Sequence, residues 1–261
     1  FGTYKEIPVV QAGNNGETIG KIHLLYSRID KKIIGSNVSL IAVNKDKWKE
    51  SPGIAKMVDP ILADIDKKYS GVVAQNLYPL SNDRYGESTL AEYFTDLLLK
   101  GFNADVAILN GGAFRSDIPA GPITLRLMQQ AYPYKDQIVV MQLKGSDLLA
   151  ALEHGIGNES IGEVRFAGVK LGADLDLPQG SRIIENRLAD NSSIDLNKQY
   201  KVVTTEFLTK GGDGYITLTK GENIRYAGDI KEFFNFALKN EKTVNYRTDG
   251  RLSVGYLRLA S

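Results

Sequence analysis

Ala104-Asp105-Val106-Ala107-Ile108-Leu109 runs directly into Asn110-Gly111-Gly112-Ala113-Phe114-Arg115, and these two segments decide how the chain is read. The first is a short apolar run of the kind that fills a strand covered on both faces. The second leaves that strand through two glycines, which turn the backbone tightly and let a ligand come close. Asn110 then offers a donor and an acceptor at the strand's mouth, and Arg115 a planar fork suited to phosphate or ribose oxygens. Taken alone, the segment also fits a plain strand-to-loop turn with a surface arginine. The surrounding sequence has to decide.

Outward from that turn, the spacing predicts a helix over 87–100, with Leu90, Phe94, Leu97 and Leu98 inward and an end at Gly101. Thr124 is positioned to cap a short helix through Gln130, and Ser146 another that stops at Gly155. Between them Ile138-Val139-Val140-Met141-Gln142-Leu143 reads as a strand. Further strands are expected near 164–170, 182–188 and 200–206, and a helix over 229–240. Strands and helices interleave without a strict βαβ period, which predicts an α+β fold, a mixed sheet with flanking helices. Upstream, residues 53–69 carry Ile54, Val58, Ile61, Leu62 and Ile65 on one helical stripe, with Pro60 expected to bend it. Residues 7–43 alternate as strands do: Ile22, Leu24 and Tyr26 against Lys21, His23 and Leu25. Turns are expected at 13–20 and 30–35. Three such strands bury too little alone and should expose an apolar face.

Composition narrows the function classes. The 261 residues are 43% hydrophobic and 24% charged, ordinary for a globular chain, and the net charge is +1. That balance argues against a nonspecific electrostatic grip on nucleic acid or anionic membrane. No apolar run of membrane-spanning length occurs. The absence of cysteine excludes disulfides, thiolate zinc sites and thiol catalysis. The chain opens at Phe1 without an initiator methionine, the start expected of a processed chain or a fragment. There is no Walker A, no G-x-G-x-x-G and no G-x-S-x-G element, and Asp174-Leu175-Asp176 lacks the third acid and the glycine of a calcium loop. His154, at a predicted helix end, reads as a structural residue complementing the helix dipole.

Asn110 to Gly155 as a whole resembles the C-terminal domain of the 5'-nucleotidase family, which belongs with the bimetal phosphoesterases. Three further stretches agree in order: Arg84-Tyr85-Gly86-Glu87-Ser88 opening a helix, Tyr132-Pro133-Tyr134, and Phe207-Leu208-Thr209-Lys210-Gly211-Gly212-Asp213-Gly214-Tyr215. The resemblance runs from about residue 73 to about residue 257. Any one motif would be weak; their order makes the match specific. Residues 1–47, with Pro8 to Gly13 and Ile19 to Leu24, resemble the last strands of that family's N-terminal metallophosphatase domain. The resemblance therefore implies a remnant over 1–47, a linker helix over 48–72 and a substrate-binding domain over 73–261.

The same resemblance implies what each candidate residue does. Tyr134 and Phe207 match the positions that clamp a base between aromatic rings, with Tyr134 where phenylalanine is common. Asp213 matches the residue that accepts hydrogen bonds from ribose hydroxyls, Asn110 one that meets the base edge, and Arg84 and Arg115 the cations near sugar and phosphate. Lys135 departs from the family's usual glycine, which leaves the base preference open. The body of the metallophosphatase domain is missing. With only His23 and His154 among its histidines, the chain offers no catalytic and no metal-binding residue of that family. No cofactor is expected in this chain, and two divalent ions are implied for the absent N-terminal domain. The implied parent is a metal-dependent phosphoric ester hydrolase, extracellular, cell-surface or periplasmic, whose partners are a nucleotide or nucleoside and that N-terminal domain. Two alternatives stand beside it: the same domain of a 2',3'-cyclic-nucleotide phosphodiesterase/3'-nucleotidase, and a non-catalytic nucleoside-binding module.

Overall fold

The structure, a computed structural model, describes residues 2–5, 7–13, 16–44 and 46–255. In chain order it comprises β1 (Gly2–Tyr4), β2 (Ile7–Val9), β3 (Thr18–Ser27), β4 (Lys32–Ala42), α1 (Pro52–Tyr69), β5 (Val72–Asn76), α2 (Thr89–Phe102) and β6 (Val106–Leu109). There follow β7 (Gly121–Thr124), α3 (Leu125–Ala131), β8 (Gln137–Lys144), α4 (Gly145–Gly155), β9 (Arg165–Ala167), β10 (Val169–Asp174), β11 (Ile183–Leu188) and β12 (Gln199–Thr205). The chain finishes with α5 (Glu206–Thr209), β13 (Glu222–Asp229), α6 (Ile230–Glu241), β14 (Thr243–Val244) and β15 (Leu252–Gly255). Its contacts divide it into two units, residues 1–65 and 66–261.

In the first unit β1 pairs with β2, and β3 forms a long antiparallel hairpin with β4. Two of the expected turns move. Gly20 and Gly35 lie inside β3 and β4, and the hairpin closes over residues 28–31. Asn14 and Asn15, within the turn expected over 13–20, lie outside the described residues, as does the end of the 73–261 segment from residue 256. Ile19, Ile22, Leu24, Leu25 and Tyr26 of β3 are all exposed, as the sequence leads one to expect of strands with so little to pack on. Helix α1 runs unbroken through Pro60, and none of its residues is buried.

The second unit is built on a five-stranded mixed sheet in the order β13-β8-β12-β6-β9. Side chains along β6 alternate between its faces: Ala107 and Leu109 enter one core with Phe94, Phe114 and Phe234, while Val106 and Ile108 enter another with Leu152, Phe166 and Tyr215. That is why 104–109 reads as a continuous apolar run. Helices α2, α3 and α6 supply the first core and α4 the second. Two three-stranded sheets, β14-β5-β7 and β11-β10-β15, complete this α+β unit.

Local chemistry sets most helix ends. Ser88 and Thr124 accept from the amides of Ala91 and Leu127, capping α2 and α3. Ser146 is not a cap. Helix α4 starts at Gly145, its N-cap is Lys144, and the amides of Gly145 and Ser146 donate to the carbonyls of Lys198 and Leu196. Those backbone acceptors make a side-chain cap unnecessary. Helix α2 passes Gly101 and ends at Phe102, with Asn103 left-handed at φ 46°. Gly101 is required instead by Phe233, whose ring tip would lie 2.5 Å from a Cβ there. The strand expected over 164–170 is two, because Gly168 turns at φ +89° with the carbonyl oxygen of Asp105 against it.

Topology then gathers the candidate residues. β12 runs parallel to β6 and antiparallel to β8. The residues following β6 (from Asn110), those following β12 (from Glu206) and those preceding β8 (Tyr132 to Asp136) therefore emerge at the same end of the sheet.

Candidate functional site

At that end lies a cavity of about 470 Å³ lined by Arg84, Asn110, Gly112, Arg115, Tyr134, Phe207 and Asp213, together with Tyr132, Lys135, Asp136, Glu206 and Lys210. All six residues singled out from the sequence meet here: Arg84, Asn110, Arg115, Tyr134, Phe207 and Asp213. Sequence reasoning did not select Tyr132, Glu206 or Lys210, although each lies within or beside a quoted motif.

Each side chain is held from behind. Phe114 is buried and stacks on Phe94 with ring centroids 5.4 Å apart, anchoring the turn after β6 in the core. The Arg115 amide donates to the carbonyl of Ala131 (2.9 Å). The Arg115 Nε donates to the Tyr134 hydroxyl, and its guanidinium lies 5.5 Å from that ring's centroid. Tyr134 also meets buried Tyr132 edge-on at 5.7 Å. Phe207 lies over the backbone of Gly212, where a Cβ would come within 2.5 Å of the ring. Tyr134 and Phe207 are thus braced rings with 37% and 45% of their surface open.

Asn110 Nδ2 donates to Asp213 Oδ2 at 2.6 Å, so amide and carboxylate form one polar pair in the cavity wall. Asp213 sits in a tight turn with φ 51°, a conformation an aspartate tolerates better than most residues. Of the two glycines at 111 and 112, neither has positive φ. Gly112 lines the cavity, where a Cβ would lie 3.4 Å from Asn110 Nδ2. Gly111 serves a different purpose from the ligand approach expected of it: a Cβ there would lie 2.4 Å from the carbonyl carbon of Gly162.

That contact leads to Arg84. The Glu163 amide donates to the Arg84 carbonyl (2.9 Å), and Gly162, at φ +85°, lets the two segments touch. Arg165 donates from Nη1 to the Gly86 carbonyl (2.7 Å) and from Nη2 to that of Asp83. The loop carrying Arg84 is therefore fixed by Gly162, Glu163 and Arg165. No motif marks these residues, because their role arises only when distant segments pack.

Four cationic side chains, Arg84, Arg115, Lys135 and Lys210, face three acidic ones. Lys210 pairs with Glu206 at 2.7 Å. Burial raises the Asp136 carboxyl above its usual range, against hydrogen bonds from the amides of Phe207 and Gln137 that lower it. Glu163 is only 4% exposed, and burial pushes it up to about 7 from an ordinary 4.5. Between those values the folded chain holds a proton that the unfolded chain has released. Stability from this group is thus full below about 4.5 and lost as the pH rises to about 7, at about 1.4 kcal/mol per pH unit. Glu163→Gln should flatten the fall of the thermal midpoint between pH 5 and 7.5; an unchanged slope in a calorimetric pH series would contradict the assignment.

The family model described as "5'-nucleotidase, C-terminal domain" matches residues 70–220, more than half of the chain. The chain belongs to this family. Among curated relatives, it is 26% identical over 270 residues to the trifunctional nucleotide phosphoesterase protein YfkN of Bacillus subtilis (strain 168), covering 95% of this chain and 18% of that protein. It is 26% identical over 255 residues to a snake venom 5'-nucleotidase of Macrovipera lebetinus, covering 87% of this chain and 62% of that protein. It thus spans less than two thirds of the length of either relative. Among solved structures, the 5'-nucleotidase precursor of Thermus thermophilus superposes with a TM-score of 0.82 at 28% identity, over 95% of this chain and 52% of that one. The mixed sheets and flanking helices are those of the family's C-terminal domain.

Proposed function

We propose that this chain is the nucleotide-recognition part of a 5'-nucleotidase-like phosphohydrolase. Its cavity holds the base against Tyr134 and Phe207, the ribose at Asp213 and the phosphate within reach of Arg84 and Arg115. The observation that carries this reading is the meeting of two half-open, braced aromatic rings with a carboxylate–amide pair and two arginines in one cavity. A stacked base is worth about 1–3 kcal/mol, a carboxylate suits a diol, and two guanidinium forks suit a phosphate while leaving phosphorus open to attack. Asn110 gives one of its two amide hydrogens to Asp213, which leaves its oxygen and its second hydrogen for the base edge.

Hydrolysis belongs, on this reading, to the parent's N-terminal metallophosphatase domain, and this chain is inactive alone. Among the described residues no three His, Cys, Asp or Glu side chains come together as metal ligands would. His154, one of the two histidines, is engaged with a backbone carbonyl. These residues do not fit a two-metal group. The exposed Ile22, Leu24 and Tyr26, which share one face of β3, support a covering partner, since a grouped apolar surface ordinarily meets something. No helix among the described residues is long and apolar enough to cross a membrane. With venom 5'-nucleotidases among the relatives, the parent acts outside the cytoplasm: extracellular, at the cell surface or in the periplasm.

The test compares AMP with ribose 5-phosphate, titrated calorimetrically into the metal-free chain. Because the two differ by the base alone, AMP should bind about 5- to 150-fold more tightly. Equal affinities would overturn the stacking reading.

A further inference from the structure

Asp213 is held by a histidine that the recognition reading does not use. His154 lies in the last turn of α4, and its Nε2 is 2.9 Å from the backbone oxygen of Asp213. The imidazole packs edge-on against Tyr215, with centroids 4.7 Å apart, and Tyr215 is fully buried. The ring also reaches within 3.2 Å of where a Cβ on Gly214 would be, so it closes on the turn from two sides. The turn needs closing. Gly211, Asp213 and Gly214 all have positive φ, and Asp213 is the one of the three whose Cβ makes that conformation costly.

A carbonyl oxygen only accepts, so Nε2 must carry a hydrogen. A neutral His154 is therefore the Nε2–H tautomer, a donor aimed at the peptide unit of Asp213. On the far side of the same residue the carboxylate accepts from Asn110. Asp213 is thus fixed at both ends, by His154 through its backbone and by Asn110 through its side chain.

We infer that His154 is a positioning residue for ribose recognition: it clamps the left-handed turn that aims the Asp213 carboxylate into the cavity. This rests on the nucleotide-recognition reading of that cavity. It also assigns the Glu153-His154 helix end a role beyond complementing a dipole. Without the clamp the turn relaxes toward ordinary backbone angles and the carboxylate leaves the ribose, while Tyr134, held by Arg115 and Tyr132, stays where it is.

The test measures adenosine and 2',3'-dideoxyadenosine binding to the full chain, to His154→Ala and to His154→Gln. The wild type should prefer adenosine by on the order of tenfold, the value of a hydrogen bond to a charged acceptor. His154→Ala should lose that preference while dideoxyadenosine still binds. His154→Gln, which keeps a side-chain N–H donor, should restore most of it. A preference retained in His154→Ala, or dideoxyadenosine binding lost in both variants, would overturn the positioning role. Failure of the wild type to bind either nucleoside would overturn the recognition reading itself, and the inference with it. Nitrogen-15 spectra of the wild-type imidazole give a readout independent of ligand. Neutral His154 should be the Nε2–H tautomer, and a dominant Nδ1–H form would contradict the contact.

Discussion

Arg251→Met is expected to lower the stability of the 66–261 unit by about 3 kcal/mol, seen as a fall of roughly 6–12 °C in thermal midpoint. Arg251 is 5% exposed. Its guanidinium grips Asp96 through Nη1 and Nη2 at 2.9 and 3.0 Å, and it donates from Nε to Asp249 at 2.9 Å. Nη1 also reaches the Phe166 carbonyl (2.9 Å) and Nη2 the Tyr246 hydroxyl (2.8 Å). One side chain thus ties α2, β9 and the segment leading into β15 together. Burial alone would favour a neutral guanidine, but the hydrogen bonds to Asp96 and Asp249 outweigh it and hold the charge more firmly than usual. Glu92, at 3.7 Å, is too far for a strong bond, so burial wins there and raises its carboxyl. Methionine preserves the packing of the stem and removes every donor. The expected loss sits at the low end of the roughly 3–5 kcal/mol typical of broken buried pairs, because the Asp96 and Asp249 carboxylates keep contact with water. Urea unfolding of both proteins measures it; a difference below about 1 kcal/mol would mean the cluster contributes little net stability.

The second large effect is on binding. Phe207→Ala should weaken adenosine binding by about 5- to 150-fold, the worth of one base stack. The variant should fold normally, since 45% of the ring's surface is open and the residue belongs to neither core. Tyr134 cannot compensate, because on the clamp reading it already supplies its own stack in the wild type, and Arg115 and Tyr132 fix where it stands.

Much of this architecture is legible in the sequence where the signal is local. Thr124 as a cap, the apolar run ending at Leu109 and the strand through 138–143 depend on neighbours a few residues away, and each stands where expected. The candidate site is legible too, because its residues lie in motifs whose order fixes the topology that gathers them at one sheet end. What could not be read depends on distant partners. The start of α4 is set by carbonyls at Leu196 and Lys198, and Gly101 answers to Phe233 instead of ending a helix. The short strands β5, β7 and β14 carry too few residues to show a period, and they exist through pairing with one another. The supports behind the site escape for the same reason: Gly162, Glu163 and Arg165 hold the Arg84 loop from far along the chain, and His154 holds Asp213 across a similar gap.

On the proposed reading, the cavity between the ends of β6 and β12 is a nucleoside site in this chain as it stands. The most direct measurement is a calorimetric titration of adenosine, without metal, into the chain and into its Phe207→Ala variant. Binding at one site that weakens by at least about fivefold in the variant is the predicted result. Binding of equal strength in both proteins would contradict the claim, because adenosine would then be held somewhere other than against Phe207.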